Sequence, residues 1–319
     1  MGFDAWPDAF PLPALRESIV VVPPPGTTPG SWAGAPSVLM HDGLIYLAYR
    51  LRRPIGQGRG YRNVIAVSDD GISFEPVAHV DREQFASESL ERPALVVTPE
   101  GRWRLYVSCA TPGTKHWRVD LLEADRPEGL SSATPQSVLP GDETVAVKDP
   151  VIIRDGDRWH LWASVHPLDL PDQTDRMTTD YATSADGIDW AWHGTVLAGT
   201  AGSWDARGVR ASSVLPTADG LWMTYDGRAT AGQNWEEVTG LAVGRRTATG
   251  FGDLTRVERP AVRSRHEPGG LRYLSLLPLE AGSFRLYYEY TRRDGAHELR
   301  TEVAVAGAGA NSASLVASA

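Results

Sequence analysis

The chain contains 319 residues, of which 42% are hydrophobic, and it carries a formal net charge of -9. This length and apolar fraction predict a folded protein with a substantial hydrophobic core. The acidic balance argues against a generalised basic surface for nucleic acid, and no apolar run approaches the length of a membrane-spanning helix. We therefore expect neither nucleic acid nor a membrane among the partners.

The cysteine content and the first residues bear on the compartment. Cys109 is the single cysteine, so the fold cannot depend on an internal disulfide. The chain opens with an early acid, Asp4, and without a basic segment followed by an apolar run, so no secretory signal is expected. Both observations favour a cytoplasmic protein. Because Cys109 follows an aromatic-rich segment, we expect a buried, unreactive thiol.

One pattern recurs five times along the chain: a turn with proline or small residues, a short apolar run, a polar turn and an aromatic-rich run. One clear copy leads from Asp149-Pro150-Val151-Ile152-Ile153 into Trp159-His160-Leu161-Trp162. The copies start at Ala35, Arg92, Asp149, Ala211 and Tyr273, at intervals of 57, 57, 62 and 62 residues. A period of this size is typical of a repeat architecture rather than of separate domains.

Each repeat continues beyond its first two strands. In the first repeat a third apolar run is followed by Asp70-Gly71, and in the third repeat by Asp186-Gly187. Asp-Gly is a strong hairpin signal because glycine adopts the positive φ that a tight primed turn requires. A third strand and an outer fourth strand are therefore predicted. Five units of four antiparallel strands predict an all-β fold, a five-bladed β-propeller formed by residues 1–319 as one domain.

The two ends of the chain do not follow the repeat. Residues 1–30 are rich in proline and cannot form a regular central strand as a whole, although residues 18–22 within them can. We expect that piece to complete the last blade and to close the ring. Residues 307–319 are rich in alanine, glycine and serine without a pattern, and we expect a frayed tail there.

The fold predicts where chemistry can occur. In a propeller the first strand of each blade lines the central channel, and the loops between second and third strands emerge where that strand begins. Two groups of residues should therefore surround one mouth. The group at the strand starts is Glu91, Arg92, Lys148, Asp149, Arg210, Arg272 and Tyr273. The group on the loops covers residues 50–62, 109–117, 164–180, 226–237 and 290–297, and its candidate site residues are Arg62, His166, Trp235, Glu236 and Glu237.

The strand starts also resemble a known group of enzymes. Lys148-Asp149-Pro150-Val151-Ile152, with Trp159 on the next strand, is the best match, and Gly-Ser-Trp motifs end at Trp32 and Trp204. Together with the Asp-Gly hairpins and the aromatic second strands, these motifs resemble the five-bladed propeller glycosidases. That group comprises glycoside hydrolase families 43, 32 and 62 and their relatives, including the family 130 phosphorylases. The resemblance covers all five repeats and implies action on a glycosidic bond.

The resemblance to family 43 implies three carboxylates. These are a base at the start of the first blade, an aspartate at the third that tunes a pKa, and an acid glutamate at the fourth. Only Asp149 matches, because Ala35 occupies the first position and Arg210-Ala211 the fourth. Hydrolysis with inversion needs an acid and a base separated by about 6.5–9.5 Å. The sequence therefore leaves the identity of that pair open.

Two alternatives could supply the missing chemistry. The resemblance to family 130 implies that Asp149 donates a proton through the substrate while Lys148 and neighbouring arginines hold phosphate. In the other alternative Glu91, Glu236 or Glu237 provides the second carboxylate. Since Glu236 and Glu237 are adjacent, we expect at most one of them to face the site.

The predicted ligand is a carbohydrate or a small or anionic glycoside, with inorganic phosphate as a further candidate. The cations would hold an anionic group and the tryptophans would stack on a sugar ring. The residues expected to bind it are Arg92, Lys148, Arg210, Arg272, Tyr273, Trp32, Trp204, Asp205, Trp235, His166 and Arg62. No metal-ligand spacing joins the histidines, so we expect no metal, and no cofactor is predicted.

Structural interpretations of the same residues remain open. Lys148 beside Asp149, and Glu91 beside Arg92, are candidate ion pairs that would only neutralise the channel. Asp205 is a candidate turn cap. The main rival to an enzyme is therefore a catalytically inactive propeller that binds a sugar.

Overall fold

The structure is a computed structural model that describes residues 10–307. Within this range the strands form four sheets, which confirms the predicted all-β class. The short 3-10 turns are Arg82–Phe85, Pro127–Ser132, Pro171–Gln173, Ala231–Gln233 and Glu280–Gly282. None of the helices in the described range has the length and apolar character that a membrane crossing requires. The predicted frayed tail falls largely on residues 308–319, which lie outside the described range.

Three sheets each contain four antiparallel strands in chain order. One sheet consists of β6 (Leu90–Val97), β7 (Trp103–Ala110), β8 (Trp117–Ala124) and β9 (Gln136–Leu139). The next consists of β10 (Val145–Asp155), β11 (Arg158–Pro167), β12 (Thr178–Ser184) and β13 (Ala191–Leu197). The third consists of β14 (Gly208–Pro216), β15 (Gly220–Arg228), β16 (Val238–Thr247) and β17 (Gly250–Arg256). We name them the β6–β9, β10–β13 and β14–β17 sheets.

The fourth sheet has eight strands and joins the two ends of the chain. One half consists of β2 (Trp32–His41), β3 (Leu44–Arg52), β4 (Gly60–Ser68) and β5 (Glu75–Asp81). The other half consists of β18 (Leu271–Pro278), β19 (Ser283–Thr291), β20 (His297–Val305) and β1 (Ile19–Val22), which pairs antiparallel with β20. The halves, named the β2–β5 half and the β18–β20 half, meet at a single parallel pairing of Trp32 with His297.

The apolar core lies between neighbouring sheets, because each strand alternates its buried side chains between two faces. The β2–β5 half and the β6–β9 sheet share a cluster with Ile65 and Leu105, and the β6–β9 and β10–β13 sheets share one with Tyr106 and Leu161. Further clusters join β10–β13 to β14–β17, β14–β17 to the β18–β20 half, and that half back to β2–β5. The contacts therefore close on themselves, as expected for a β-propeller.

The predicted Asp-Gly hairpins are confirmed, since β4 pairs with β5 and β12 with β13. Gly71 and Gly187 have φ of 72° and 76°, a region that favours glycine. Tyr287 donates its hydroxyl to the Gly71 carbonyl at 2.8 Å, and Tyr106 donates to the Gly187 carbonyl at 2.8 Å. In both cases the tyrosine belongs to the preceding part of the ring, so the turn also links neighbouring sheets.

The aromatic second strands contribute tryptophans to the core, and the predicted burial of Cys109 is confirmed. Trp103, Trp159 and Trp162 are buried in the clusters between sheets, and Trp222 is partly buried against Phe10. The single cysteine is also buried, and burial raises the pKa of its thiol well above the usual value. It is therefore protonated at neutral pH and is a poor nucleophile.

Candidate functional site

The first strands share one irregularity that positions the site. The pairing of first and second strands is interrupted near the start of β2, β6, β10, β14 and β18. At this interruption Ala35, Asp149 and Tyr273 adopt left-handed backbone with φ of 52°, 53° and 55°. A bulge of this kind redirects the strand and re-aims its side chains. The residues before and at the interruptions consequently converge on one region.

That region contains a buried group of charged and polar side chains, which we name the central cluster. Its members are Arg50, Glu91, Arg92, Lys148, Asp149, Arg210, Asp226, Glu237, Arg272, Tyr273 and Glu289. Every sheet contributes at least one member. The predicted convergence of distant strand starts therefore occurs, although much of the cluster also comes from second strands.

Asp149 is fully buried within the central cluster, with 0% exposure. Its Oδ2 accepts a hydrogen bond from Arg210 Nη1 at 3.2 Å and lies 3.4 Å from Lys148 Nζ. The Tyr273 hydroxyl lies 3.5 Å from the same oxygen, whereas Oδ1 has no hydrogen-bond partner among the described residues. Burial raises the pKa of Asp149, but Lys148 and Arg210 lower it by more, so this pKa lies far below its usual range. The carboxylate is therefore ionised at neutral pH.

Alternating acids and arginines extend from one side of the cluster to the other. Arg50 bonds to Glu91 and, at 2.7 Å, to Glu289. Arg272 donates to Glu289 at 2.8 Å and to Glu237 at 2.7 Å. Burial opposes ionisation of these glutamates, yet the arginines lower the pKa of each. All three carboxylates are consequently ionised and cannot serve as proton donors in this arrangement.

Asp226 behaves differently from the other acids of the cluster. It lies on β15 directly across from Arg210, which donates to its Oδ2 at 2.9 Å, and it also accepts from the Tyr273 backbone N–H at 3.0 Å. Burial raises the pKa of Asp226, and Arg210 only partly offsets that effect. Among the acids of the central cluster, Asp226 is thus the one whose pKa lies above its usual value.

Tyr273 fills the middle of the cluster. Its ring lies against four guanidinium groups, with centroid distances of 3.9 Å for Arg210, 5.2 Å for Arg272, 5.7 Å for Arg50 and 5.7 Å for Arg92. An aromatic face attracts such cations, and the attraction is stronger when water is excluded. Tyr273, which the sequence predicts to bind substrate, therefore contacts and orients arginines from several sheets.

The partly exposed side of the site lies beside Trp32. His297 stacks on the Trp32 ring at 4.8 Å, and Trp235 meets it edge-on at 5.6 Å. Glu236 accepts from Thr291 Oγ1 at 2.6 Å, and one of its oxygens lies 3.0 Å from His297 Nε2. Trp32 is therefore covered on its ring faces, whereas Trp235 remains exposed.

Glu236 and Glu237 have different surroundings, as their adjacency predicts. Glu237 is buried in the central cluster, and Glu236 is partly exposed beside His297. His166 lies close to Lys148 and Asp149, with its Nε2 3.1 Å from Ser164 Oγ. Burial and the neighbouring cations lower the pKa of His166 to about 3, so its imidazole is neutral.

Three residues expected at the mouth have partners elsewhere. Arg62 pairs with Asp81 on β5 at 2.6 Å. Asp205 accepts from Tyr225 at 3.0 Å and from Arg256 at 2.9 Å, and Trp204 stacks on Tyr225 at 5.6 Å. The structure therefore does not bring Arg62, Trp204 or Asp205 to the central cluster.

Four charged residues of this region were not among the predicted site residues, although residues 50–62 and 226–237, which contain three of them, were expected around the mouth. Arg50, Arg52 and Glu289 lie on second strands, and so does Asp226. Each is almost completely buried, which is unusual for a charged side chain. A weak signal existed in Arg50 and Arg52, since they are separated by two positions and so share one face of the strand.

Comparison with solved structures identifies the fold class. A putative glycoside hydrolase from Parabacteroides distasonis aligns with a TM-score of 0.61 and 18% identity over 92% of this chain and 96% of that one. A β-1,2-mannobiose phosphorylase from Listeria innocua, in complex with β-1,2-mannobiose, aligns at 0.64 and 14% over 94% and 95%. An α-L-arabinofuranosidase from Lactobacillus brevis aligns at 0.64 and 15% over 85% and 90%.

These alignments confirm that the chain has the propeller fold of glycoside hydrolase-like proteins, which the strand-start motifs predicted. No protein-family profile matches the chain, and no curated protein matches it in sequence. A shared fold does not by itself assign an activity, so the function has to be argued from the site.

Proposed function

We propose that the eight-stranded sheet consists of two blades that meet at the Trp32 and His297 pairing. The protein would then be a single five-bladed β-propeller, with β1 as the outer strand of the fifth blade and the central cluster on its axis. The closed circuit of apolar clusters and the equivalent interruptions in five first strands support this count.

We propose further that the protein acts on a glycosidic bond of a small or anionic glycoside that binds above the central cluster. The observation that carries this proposal is the burial of ionised Asp149 among charged side chains from every sheet, in a fold shared with glycosidases. Buried ion pairs are costly and seldom stabilise a fold better than apolar residues would. Their concentration at the point where the strands converge therefore favours a role in ligand chemistry.

The geometry restricts the roles that each acid can take. Asp149, Glu91 and Glu237 are ionised, so they suit a base, a stabiliser of positive charge or a group that orients another side chain. Glu236 is the partly exposed carboxylate beside Trp235 and is our candidate for direct contact with a substrate. Lys148, which approaches the Trp117 ring at 5.0 Å, would hold an anionic group or phosphate.

A turnover assay tests this proposal. The purified protein would be incubated with aryl-glycosides and oligosaccharides, with and without inorganic phosphate. Turnover in water alone supports hydrolysis, and turnover that requires phosphate supports the phosphorylase alternative. No turnover across the panel would contradict an enzymatic function.

A sugar-binding protein without activity is the second candidate. Ala35 and Arg210 stand where acids are implied by the resemblance, and arginines neutralise the buried glutamates. Measurable sugar binding without turnover would support this candidate. The presence of a single cysteine, which leaves no internal disulfide, supports a cytoplasmic location for either function.

A further inference from the structure

Arg52, at the end of β3, is a buried cation that forms no salt bridge with any acid of residues 10–307, although Glu91 attracts it from a greater distance. It is 1% exposed, and its Nε and Nη1 atoms have no hydrogen-bond partner among residues 10–307. No carboxylate of the described residues lies within salt-bridge distance of it, whereas Arg50, two residues earlier, contacts both Glu91 and Glu289. A buried guanidinium with unsatisfied donors is costly, so its presence requires an explanation.

Two tryptophans flank this guanidinium. Arg52 Cζ lies 3.9 Å from the Trp32 ring centroid and 4.8 Å from the Trp235 ring centroid. The rings stabilise the positive charge but offer no acceptor for its N–H groups. Trp32 Nε1 is also buried and has no hydrogen-bond partner in the part of the chain that the structure describes. This part of the molecule therefore contains donors that lack acceptors, which is the polarity an anionic ligand would complement.

Trp235 is the exposed member of this stack. It is 39% exposed, compared with 2% for Trp32. Its backbone has φ of 81°, which is a strained region for a residue with a large side chain. Trp235 follows the short turn Ala231–Gln233 and precedes β16, so it lies on a connection rather than within a strand. Movement of its indole would open Arg52 to solvent without disturbing a sheet.

We propose that Arg52 is the recognition residue for a carboxylate carried by the glycoside, with Trp235 as a movable cover over it. This inference rests on the proposed glycoside function and narrows its substrate class to sugars that carry a carboxylate, such as uronic acids. The planar guanidinium fork matches a planar carboxylate in a bidentate contact. One unpaired guanidinium between two indoles also suits a single negative charge better than phosphate, which carries about 1.5–2 charges at neutral pH.

Binding measurements test the proposal without requiring turnover. Calorimetry would compare a panel of uronic acids with their neutral parent sugars and with inorganic phosphate. We expect at least one uronic acid to bind about tenfold or more tightly than its neutral parent, and R52Q to abolish that difference. R53Q is the matched control, because Arg53 is exposed and lies over Tyr61 at 4.3 Å instead.

The outcomes separate the possibilities. If no uronic acid is preferred over its parent, or if R52Q keeps the preference, the proposal is wrong. If only phosphate binding depends on Arg52, the anion is phosphate and the carboxylate assignment is overturned. Because binding alone is measured, an inactive protein can still pass this test, so its result is independent of the turnover assay.

Two further variants distinguish a loss of recognition from a loss of folding. R52K keeps the charge but loses the planar fork. We expect its preference for the uronic acid over the neutral parent to be less than a tenth of the wild-type preference, and its melting temperature to equal that of the wild type. W235F should keep the preference and change the tryptophan emission that accompanies binding. An R52K variant with full preference would show that charge alone suffices and would contradict bidentate recognition.

Discussion

Ala35 and Asp149 occupy the same backbone position in two different sheets. Both lie at the interruption of a strand pairing, both are fully buried and both have left-handed φ, 52° and 53°. Asp149 contacts Lys148 and Arg210, whereas Ala35 has only a methyl group to offer. The fold therefore determines which backbone position faces the centre, and the residue placed there determines the chemistry.

The residue before each position completes the contrast. Lys148 precedes Asp149, but Gly34 precedes Ala35, and a Cβ on Gly34 would lie 2.0 Å from Glu289 Oε2. The absence of a side chain at Gly34 on β2 therefore allows the Glu289 carboxylate of β19 to lie against this strand. Its own charge, Arg50, comes instead from its second strand.

Removal of a carboxylate that neutralises several buried cations should give the largest loss in the free energy of unfolding. Glu237→Gln leaves Arg272 and Arg228 without their shared buried acid, and we expect a loss of about 3–5 kcal/mol in the free energy of unfolding. Urea denaturation measures it. Glu267→Gln removes an exposed pair with Arg263 and should leave the midpoint unchanged. Equal midpoints for the wild type and Glu237→Gln would mean that the cluster does not depend on charge balance.

Asp149→Asn removes the negative charge that distinguishes Asp149 from Ala35. We expect turnover in the assay of the proposed glycosidase activity to fall by about 100-fold or more, because a neutral amide cannot replace an ionised base or stabiliser. The burial of Asp149 between two cations also predicts a stability loss of about 2 kcal/mol. Kinetics and denaturation on the same sample measure both effects. Full turnover in Asp149→Asn would remove this residue from the mechanism.

The buried histidines of the β10–β13 sheet predict a pH dependence. The pKa of His166 falls to about 3 and that of His160 to about 4, mainly through burial, from an ordinary value of 6.5. Between pH 6.5 and 4 the unfolded chain takes up protons that the folded chain does not, so stability decreases as pH falls. Each histidine adds a slope of up to about 1.4 kcal/mol per pH unit.

Thermal unfolding over this pH range would measure the slope. His166→Gln should make it shallower, whereas His79→Gln, at a half-exposed position on β5, should leave it unchanged. A slope that is the same in His166→Gln and in the wild type would contradict the assigned burial effect.

Ala35→Gly should give the smallest effect. Glycine relieves the left-handed strain of about 1–2 kcal/mol, while loss of one buried methyl group costs about 0.8 kcal/mol. We expect a net gain of less than about 1 kcal/mol in denaturation experiments. A clear loss of stability would show that burial of the Ala35 methyl group contributes more free energy than the left-handed backbone costs.

The repeat in the sequence predicted the strands and turns well because both depend on local patterns. Alternating apolar runs and the Asp70-Gly71 turn specify a hairpin within a few residues. The placement of Glu91, Lys148 and Asp149 at the mouth was predicted for the same reason, because the repeat puts each of them at the start of a first strand. The sequence could not distinguish Arg62 and Asp205 from these residues. A charged residue near a loop has the same local pattern whether its partner lies in the central cluster or away from it.

The sequence alone determined the all-β repeat, its turns and the first-strand residues that approach the centre, because these follow from periodicity and backbone preference over short distances. Only the tertiary structure decided which charges pair there. Arg50 forms a salt bridge with Glu289, 239 positions away, while Arg52, two residues along, lies between two indoles and forms no salt bridge within the described residues. Pairing of charges depends on distances across the ring and on burial, and neither quantity is encoded in a local pattern.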